Sequence, residues 1–380
     1  MAGPAESSSA LSRVVLVTGA LDCGGAQRVL ADLANHWASS GCRVTLATWS
    51  GTENRDFYSL DPAIERVWLG AVSGARSPVT KLRAQIARIR RLRALMRASR
   101  PDAVLSFIDV SNVLTLFAAA GLGLRVVVSE RTNPGLNFTV PRPWRLLRKL
   151  VYGRASRVVA QTQDAAKWLR DHCGVDAAVI PNSLRELPLP SRPRENVVMG
   201  VGRLSAEKGF DSLLRAFARL ASRFPAWKLQ ILGDGPDRAR LAALRDELGL
   251  AGRAELAGEV TGVEEWLARA GLFVHASRRE GFPNALLEAM GMGAAVVSTD
   301  CQSGPGELIA DGVNGRLVPV DDIDELMRVM AELMAGGSLR ERLGGEALKV
   351  RETYAPAAIM KKWEAVLVAP GATGATGVPA

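Results

Sequence analysis

The stretch Glu280–Glu307 reads EGFPNALLEAMGMGAAVVSTDCQSGPGE and contains a short loop, a predicted helix, an apolar predicted strand and a second loop rich in Gly and Pro. Pro is favoured at the first position of a helix, where its missing N–H costs nothing, so the helix is predicted to begin at Pro283. Apolar strands that alternate with helices are typical of α/β domains. One βα unit therefore carries two turns that could contact a ligand.

The first turn of this helix predicts an anion site. Its N–H groups have no partner inside the helix, and together with the helix dipole they favour a phosphate. A glycine just before the helix lets the backbone approach that phosphate closely. The residues predicted to bind in this way are Gly281, Phe282, Asn284, Ala285 and Leu286.

Two carboxylates, Glu280 and Glu288, flank the predicted anion site. Next to a phosphate they would repel it, so they are better suited to accept hydrogen bonds from the hydroxyl groups of a ribose or a hexose. Together, the anion and hydroxyl contacts predict a sugar nucleotide as the ligand. The alternative is an ordinary amphipathic helix whose Glu288 is only solvated.

Length and composition favour an α/β protein of two domains. The chain has 380 residues, of which 48% are hydrophobic and only 5% aromatic. A chain of this length usually divides into two domains, and the abundance of Gly, Ala, Leu and Val suits α/β layers better than a β-sandwich.

The cysteines and histidines predict no metal site. The four Cys have no C-x-x-C spacing and the three His do not cluster with them, so reduced thiols in a cytoplasmic protein are expected. The amino terminus lacks the pattern of a signal peptide, and the uncharged stretch Val110–Leu124 is too short to span a bilayer.

A second pair of motifs follows the predicted strand Val197–Val201. The loop after it reads Gly202-Arg203, then Lys208-Gly209-Phe210, so one Arg and one Lys stand five residues apart. Such a pair can place a guanidinium fork and an ammonium on one diphosphate. The alternative is surface charge on an ordinary loop.

Together with the glutamates eight residues apart, these motifs resemble family 4 of the retaining glycosyltransferases, whose fold is GT-B. The resemblance runs from about Val14 to about Val366. It implies two doubly wound Rossmann-like domains that face a cleft. It also implies transfer of a hexosyl or N-acetylhexosaminyl group from a nucleotide donor, UDP-linked by expectation, to an acceptor hydroxyl with retention at the anomeric carbon.

The resemblance also implies roles for single residues. Arg203 and Lys208 would stabilise the leaving diphosphate, Glu280 would contact a donor-sugar hydroxyl, and Glu288 would hold the ribose diol. No metal or other cofactor is expected, because these cations already supply the countercharge. The backbone near the nucleotide would come from Gly202, Gly233 and Gly258.

Acceptor contacts are expected from the first half of the chain. The stretch Gly24-Gly25-Ala26-Gln27-Arg28 resembles a family motif at the cleft, although it could be only a tight strand-to-helix turn. The stretch from Ser129 to Pro134, SERTNP, resembles enzymes of exopolysaccharide and lipid-linked oligosaccharide assembly. Many relatives carry a His at the end of the preceding strand, where this chain has Asp109. The expected acceptor residues are Gly24, Gly25, Gln27, Asp109, Glu130 and Arg131.

Positive charge is concentrated in the first half of the chain. Residues 1–190 hold 25 Lys and Arg against 14 Asp and Glu, a net charge of +11, whereas the whole chain carries +9. Such an excess favours an anionic partner, namely a membrane surface, a phosphorylated acceptor or nucleic acid. Nucleic acid is the least favoured, because aromatic residues are not interleaved with the basic ones.

Two predicted helices carry much of this charge, Lys81–Arg100 and Pro143–Tyr152. Basic amphipathic helices can bind anionic lipid, so a peripheral position on the inner face of the cell membrane is one expectation. Solvated helix faces are the alternative. In the first helix, an apolar stripe is predicted to pack on the sheet, formed by Leu82, Ile86, Ile89, Leu92 and Met96.

The predicted domains are residues 1–185 with a C-terminal helix 355–368 that packs back on them, residues 190–354 as the donor domain, and a disordered tail 369–380. The expected acceptor is a lipid-linked glycan. Alternatives are a soluble small-molecule acceptor, or a peripheral membrane module that binds sugar nucleotides without turnover.

Overall fold

The computed structural model describes residues 11–22, 24–50, 56–70, 77–137, 140–189 and 193–368. The predicted tail 369–380 lies outside these residues. The chain divides into two compact units, one formed by the described residues of Met1–Ile180 and Met360–Ala380, the other by those of Pro181–Ile359. We call them unit 1 and unit 2.

Unit 1 contains a seven-stranded parallel sheet with the strand order β3-β2-β1-β4-β5-β6-β7. The change of direction next to β1 is the arrangement of a doubly wound α/β domain. Most of its strands are buried on both faces, which explains their nearly continuous apolar sequences. The strands are β1 Arg13–Thr18, β2 Arg43–Thr48, β3 Glu65–Trp68, β4 Ala103–Phe107, β5 Arg125–Ser129, β6 Arg157–Ala160 and β7 Ala177–Val179.

Five α-helices connect these strands: α1 Gly25–Ser39, α2 Pro78–Ser99, α3 Asp109–Ala119, α4 Arg142–Val151 and α5 Gln163–Cys173. Helices α2 and α4 both pack against α3. The apolar stripe predicted for α2 is correct for Leu92 and Met96, which are buried, but wrong for Leu82 and Ile86, which are 62% and 40% exposed. The first turns of α2 therefore extend past the core.

Unit 2 contains a six-stranded parallel sheet with the order β10-β9-β8-β11-β12-β13. Its strands are β8 Glu195–Val201, β9 Lys228–Leu232, β10 Ala254–Gly258, β11 Ala270–His275, β12 Val296–Thr299 and β13 Arg316–Val318. Its helices are α6 Phe210–Leu220, α7 Arg238–Glu247, α8 Val263–Arg269, α9 Asn284–Gly291, α10 Pro305–Leu308, α11 Ile323–Ala335, α12 Gly337–Ala347 and α13 Val350–Thr353.

The last helix, α14, spans Pro356–Val368, and its residues from Met360 onward belong to unit 1. Trp363 is fully buried there, with its ring 5.6 Å from that of Phe107 at the end of β4. On the same helix Glu364 pairs with His36 at 3.3 Å, and the carbonyl of Val366 accepts from Arg125. The chain therefore completes the core of unit 1 with its last described turns.

One close backbone contact fixes the loop after β8. Gly209 has a φ of +62°, and a Cβ atom built on it would lie 2.0 Å from the carbonyl oxygen of Ala276, just past β11. Only glycine permits both the backbone angle and the contact. The loop between β8 and α6 consequently lies directly against the segment that follows β11.

We expect Trp363→Ala to destabilise unit 1 by about 3–5 kcal/mol, because it leaves a large cavity in the core. Urea unfolding followed by circular dichroism measures the change. Lys362→Ala is the matched control, since this neighbour on α14 is exposed. Equal midpoints for the two variants would show that α14 does not contribute to the core.

We expect Gly209→Ala to destabilise unit 2 more than Gly249→Ala. Both glycines have positive φ angles, +62° and +67°, but no atom lies within 4 Å of a Cβ built on Gly249. The control therefore carries only the backbone cost of about 1–2 kcal/mol, and the difference in urea midpoint measures the clash with Ala276. Equal losses would contradict the close contact.

Candidate active site

The predicted site residues of unit 2 gather at the carboxyl ends of its central strands, where α/β sheets bind ligands. Gly202 follows β8 and donates its N–H to the carbonyl of Leu232 at 3.0 Å. Gly233 follows β9 and donates to the carbonyl of Gly258 at 2.7 Å. Three neighbouring strands thus have a glycine at or just after their carboxyl ends, and backbone hydrogen bonds connect these ends.

The two predicted cations of the loop differ in their surroundings. Arg203 is exposed and has no ion-pair partner among the described residues. The Nζ of Lys208 donates to Glu280 Oε1 at 2.6 Å, and its side chain is 23% exposed. The contact between Gly209 and Ala276 brings Lys208 to the segment that carries Glu280.

Glu280 is held through a single oxygen atom. Its Oε1 accepts from Lys208 and from the hydroxyl of Ser277 at 2.7 Å. The Nε2 of His275 lies 3.0 Å from the same oxygen, at an angle that does not satisfy hydrogen-bond geometry. Burial alone would raise the pKa of Glu280, but the ammonium of Lys208 and the nearby His275 lower that pKa to about 2. Glu280 is therefore a carboxylate at every physiological pH.

The start of helix α9 differs from the prediction in two details. The helix begins at Asn284, so Pro283 is the residue before the first turn rather than its first member. The N–H of Asn284 donates to the carbonyl of Phe282 at 3.0 Å and is not free for an anion. The N–H groups of Ala285 and Leu286 have no acceptor among the described residues.

Side chains around α9 divide between core and site. Phe282 and Leu286 are buried in the apolar core of unit 2, so only their backbone atoms could contact a ligand. Glu288 is nearly buried, and its Oε1 lies 3.4 Å from the Nε of Arg185. Arg185 also pairs with Glu264 at 3.0 Å. A cation thus lies beside the carboxylate that was predicted to hold a ribose.

The second loop of the opening stretch packs against the first. A Cβ atom built on Gly304, whose φ is +133°, would lie 2.4 Å from the Cδ of Pro283. The short helix α10 begins at the next residue, Pro305. The two turns of this βα unit are therefore neighbours.

In unit 1, the glycine motif forms the turn before α1. The hydroxyl of Tyr58 donates to the carbonyl of Gly24 at 2.9 Å, and the N–H of Gly24 donates to the same hydroxyl at 3.1 Å. Gly25 is the first residue of α1, and Gln27 lies in its first turn. Sequence reasoning missed Tyr58, which is distant along the chain.

Asp109 and Glu130 belong to one buried network. Arg148 on α4 pairs with Asp109 and, at 2.9 Å, with Glu130 Oε1. Tyr152 donates to Glu130 at 2.5 Å, and Asn137 donates to Asp109 at 3.0 Å. Arg148, predicted as part of a basic surface, is instead buried because it neutralises these carboxyl groups.

Burial is the main cause that raises the pKa of Glu130, to about 8, and the negative charge of Asp109 adds to it. Burial thus opposes ionisation of Glu130, whereas the positive charge of Arg148 favours it. Its side chain is 1% exposed, and that of Arg131 is also buried, stacked 4.7 Å from the ring of Phe107. This burial argues against direct acceptor contact by Glu130 or Arg131, and Asp109, at 6% exposure, is little more accessible.

Two protein-family profiles match this chain. Residues 23–184 match the profile of Glycosyltransferase Family 4, and residues 187–350 match that of Glycosyl transferases group 1. The amylovoran biosynthesis glycosyltransferase AmsD of Erwinia amylovora is 25% identical, over 93% of this chain and 99% of its own length. An exopolysaccharide phosphotransferase of Streptomyces coelicolor is 36% identical, but the match covers 54% of this chain and 22% of that protein.

An alpha-1,4-N-acetyl-D-galactosaminyltransferase of Campylobacter jejuni, named for an undecaprenol-linked substrate, is 24% identical, over 93% of this chain and 97% of its own length. Among solved structures, HepE of Anabaena in complex with UDP has a TM-score of 0.79 at 18% identity, over 93% of this chain and 99% of that one. That likeness shows the fold, two doubly wound parallel sheets of the GT-B type. The two profiles together span nearly the whole chain, and it belongs to the family 4 and group 1 glycosyltransferases.

Proposed function

We propose that this glycosyltransferase moves a hexosyl or N-acetylhexosaminyl group from a UDP-sugar to a hydroxyl of a lipid-linked glycan, with retention at the anomeric carbon. The observation that carries the proposal is the ion pair in unit 2 between Lys208 and the ionised Glu280, which lies four residues before the start of α9, with Arg203 on the same loop as Lys208. It combines cations for a diphosphate with a carboxylate for a sugar hydroxyl.

Departure of a nucleoside diphosphate develops negative charge on its outer phosphate. Arg203, Lys208 and the N–H groups of Ala285 and Leu286 would meet that charge, and donors fixed before the reaction stabilise it without reorganisation. We propose that these groups replace a metal ion. Among the described residues, no group of three or more His, Cys, Asp or Glu side chains could hold one.

Glu280 would accept a hydrogen bond from the donor sugar rather than deprotonate the acceptor. A carboxylate whose pKa is about 2 is a weak base at neutral pH. The leaving phosphate is the stronger base near the reacting carbon. We therefore propose that it takes the acceptor proton on the same face of the sugar, and Glu288 holds the ribose diol.

The acceptor class is proposed from relatives and from the surface of unit 1. The Erwinia relative is named for amylovoran synthesis and the Campylobacter relative for an undecaprenol-linked substrate. A further relative of 39% identity, over 39% of this chain and 42% of its own length, is a lipopolysaccharide core enzyme of Rhizobium meliloti. The Campylobacter name refers to an undecaprenol-linked glycan and the Rhizobium name to lipopolysaccharide, which favours a lipid-linked acceptor here.

Helix α4 presents a mixed apolar and basic face to solvent. Leu146 and Leu150 are 60% and 63% exposed, and the exposed cations Arg142 and Lys149 lie on the same helix face by their spacing. Isolated leucines of this exposure have no role in the core. No described helix is long and apolar enough to cross a membrane.

Helix α2 also exposes apolar side chains next to basic ones. The apolar residues are Val79, Leu82 and Ile86, and the basic residues are Lys81 and Arg83. Both helices flank α3 in the same layer of unit 1. We propose that these faces hold the enzyme at an anionic membrane surface, the inner face of the cell membrane, where its acceptor would lie. Each basic residue near such a surface strengthens the free energy of membrane binding by about 1 kcal/mol.

We expect the purified chain to hydrolyse at least one UDP-sugar slowly and to release UDP, even in excess EDTA. Transfer of the sugar to water requires the donor site but no acceptor, so this reaction tests the donor site alone. Lys208→Ala should reduce the turnover about a hundredfold, since it removes a charge-assisted donor to the leaving group. Release of UDP from a panel of UDP-sugars is the measurement.

Lys349→Ala is the matched control for this assay, because Lys349 lies on the surface of unit 2 with a side chain 72% exposed. It should retain normal turnover. Normal turnover by a folded Lys208→Ala variant would refute the assigned role. Activity lost in EDTA and restored by Mn²⁺ or Mg²⁺ would refute metal independence.

We expect co-sedimentation with vesicles that contain phosphatidylglycerol, weakened by salt, and none with phosphatidylcholine alone. Replacing both Leu146 and Leu150 with Ser should weaken binding at least tenfold, since each leucine inserted into lipid contributes about 1.5–3 kcal/mol. The matched control replaces Leu189 and Val313, which are 63% and 51% exposed on unit 2. Equal binding by both double variants would contradict the proposed membrane face, and turnover on a soluble acceptor would then favour a small-molecule enzyme.

A further inference from the structure

His275 is a polar side chain in an unusual position for a core residue. It ends the buried central strand β11 and is 4% exposed, and its Nε2 has no hydrogen bond of good geometry among the described residues. That nitrogen lies 3.0 Å from Glu280 Oε1, the same oxygen that accepts from Lys208 and Ser277. A buried polar atom without a partner is costly, so its place next to a carboxylate calls for an explanation.

The backbone of His275 cannot easily move away from Glu280. The hydroxyl of Thr299 on β12 donates to the carbonyl of His275 at 3.3 Å and to that of Ser277 at 2.5 Å. Strand β11 is also paired on both sides, with β8 and β12. The imidazole and the carboxylate are therefore held together by the sheet.

Few other charged groups lie near this pair. Lys208 comes from the loop after β8, and Cys301 and Asp300 come from the segment after β12. Burial raises the pKa of the Cys301 thiol to about 12, so it stays neutral, and Asp300 is exposed. Arg278 is engaged elsewhere, with Asp211 and Asp321.

A nucleoside diphosphate changes this balance, because it brings negative charge to Lys208, the cation that now neutralises Glu280. The phosphate competes for the ammonium, and the buried carboxylate loses part of its compensating charge. Of the two remaining titratable groups, the carboxylate of Glu280 is far from its range of titration at neutral pH. The imidazole of His275 is then the group that can take up a proton.

We propose that His275 takes up a proton from solvent when a diphosphate draws Lys208 away from Glu280, and that the imidazolium then holds Glu280 in place. His275 is thus a positioning residue. It would keep Oε1 occupied and leave Oε2, which has no partner among the described residues, for a donor-sugar hydroxyl. The inference rests on the proposed function for its ligand, but its first test needs no ligand.

The test is a pH titration of the tag-free chain labelled with ¹³C at the histidine Cε1 position. The chain has three histidines, so His36→Gln and His172→Gln assign the signals. Lys208→Gln should raise the titration midpoint of His275 by about one pH unit, because it removes the competing cation, and Glu280→Gln should lower it by a similar amount, because it removes the carboxylate. Arg203→Gln is the control, since Arg203 does not contact Glu280.

Two opposite shifts confined to His275 would support the proposal. An unchanged or lowered midpoint in Lys208→Gln would overturn it, as would an unchanged midpoint in Glu280→Gln. An unfolded variant would bring all three signals to one common midpoint, which separates misfolding from a true result.

Addition of saturating UDP to the wild-type protein separates this inference from the proposed function. Bound UDP should raise the midpoint of His275 and leave those of His36 and His172 unchanged. If UDP binds and the His275 midpoint stays constant, the inference fails while the donor site stands. If UDP does not bind, the proposed donor fails, and the Lys208→Gln and Glu280→Gln titrations still decide how the three side chains are coupled.

Discussion

The ion pair between Lys208 and Glu280 organises the candidate active site. It joins the loop after β8 to the segment after β11, and it can form only because Gly209 lets the two backbones touch. The same pair keeps a buried carboxylate ionised, against the effect of burial. One contact therefore sets the shape of the loop after β8 and keeps the charge on Glu280.

In unit 1, the basic residues of helix α4 lie in two different environments. Arg148 is buried between Asp109 and Glu130, where its charge offsets that of the carboxyl groups and holds α4 against the ends of β4 and β5. Arg142 and Lys149, on another face of the same helix, are exposed beside leucines. A helix of this kind has one face that completes a polar core and another that suits an anionic surface.

The alternation of strands and helices and the positions of the site loops could be predicted because buried parallel strands and glycine turns leave local patterns. The exposure of Leu82 and Ile86 could not be predicted, because helical spacing does not show where the sheet beneath a helix ends. Arg148 was misjudged because its partners are distant in sequence. The position of His275 beside Glu280 could not be predicted, because only the fold shows that β11 ends with this imidazole next to that carboxylate.

The central claim is that the loops of unit 2 form a site for a nucleoside diphosphate. A crystal structure of the chain with UDP tests it most directly. We predict density for the diphosphate within hydrogen-bond distance of Arg203, Lys208 and the N–H groups of Ala285 and Leu286, with the ribose hydroxyls at Glu288. A diphosphate bound elsewhere, or one bound here while Lys208 and Arg203 make no contact with it, would contradict the account.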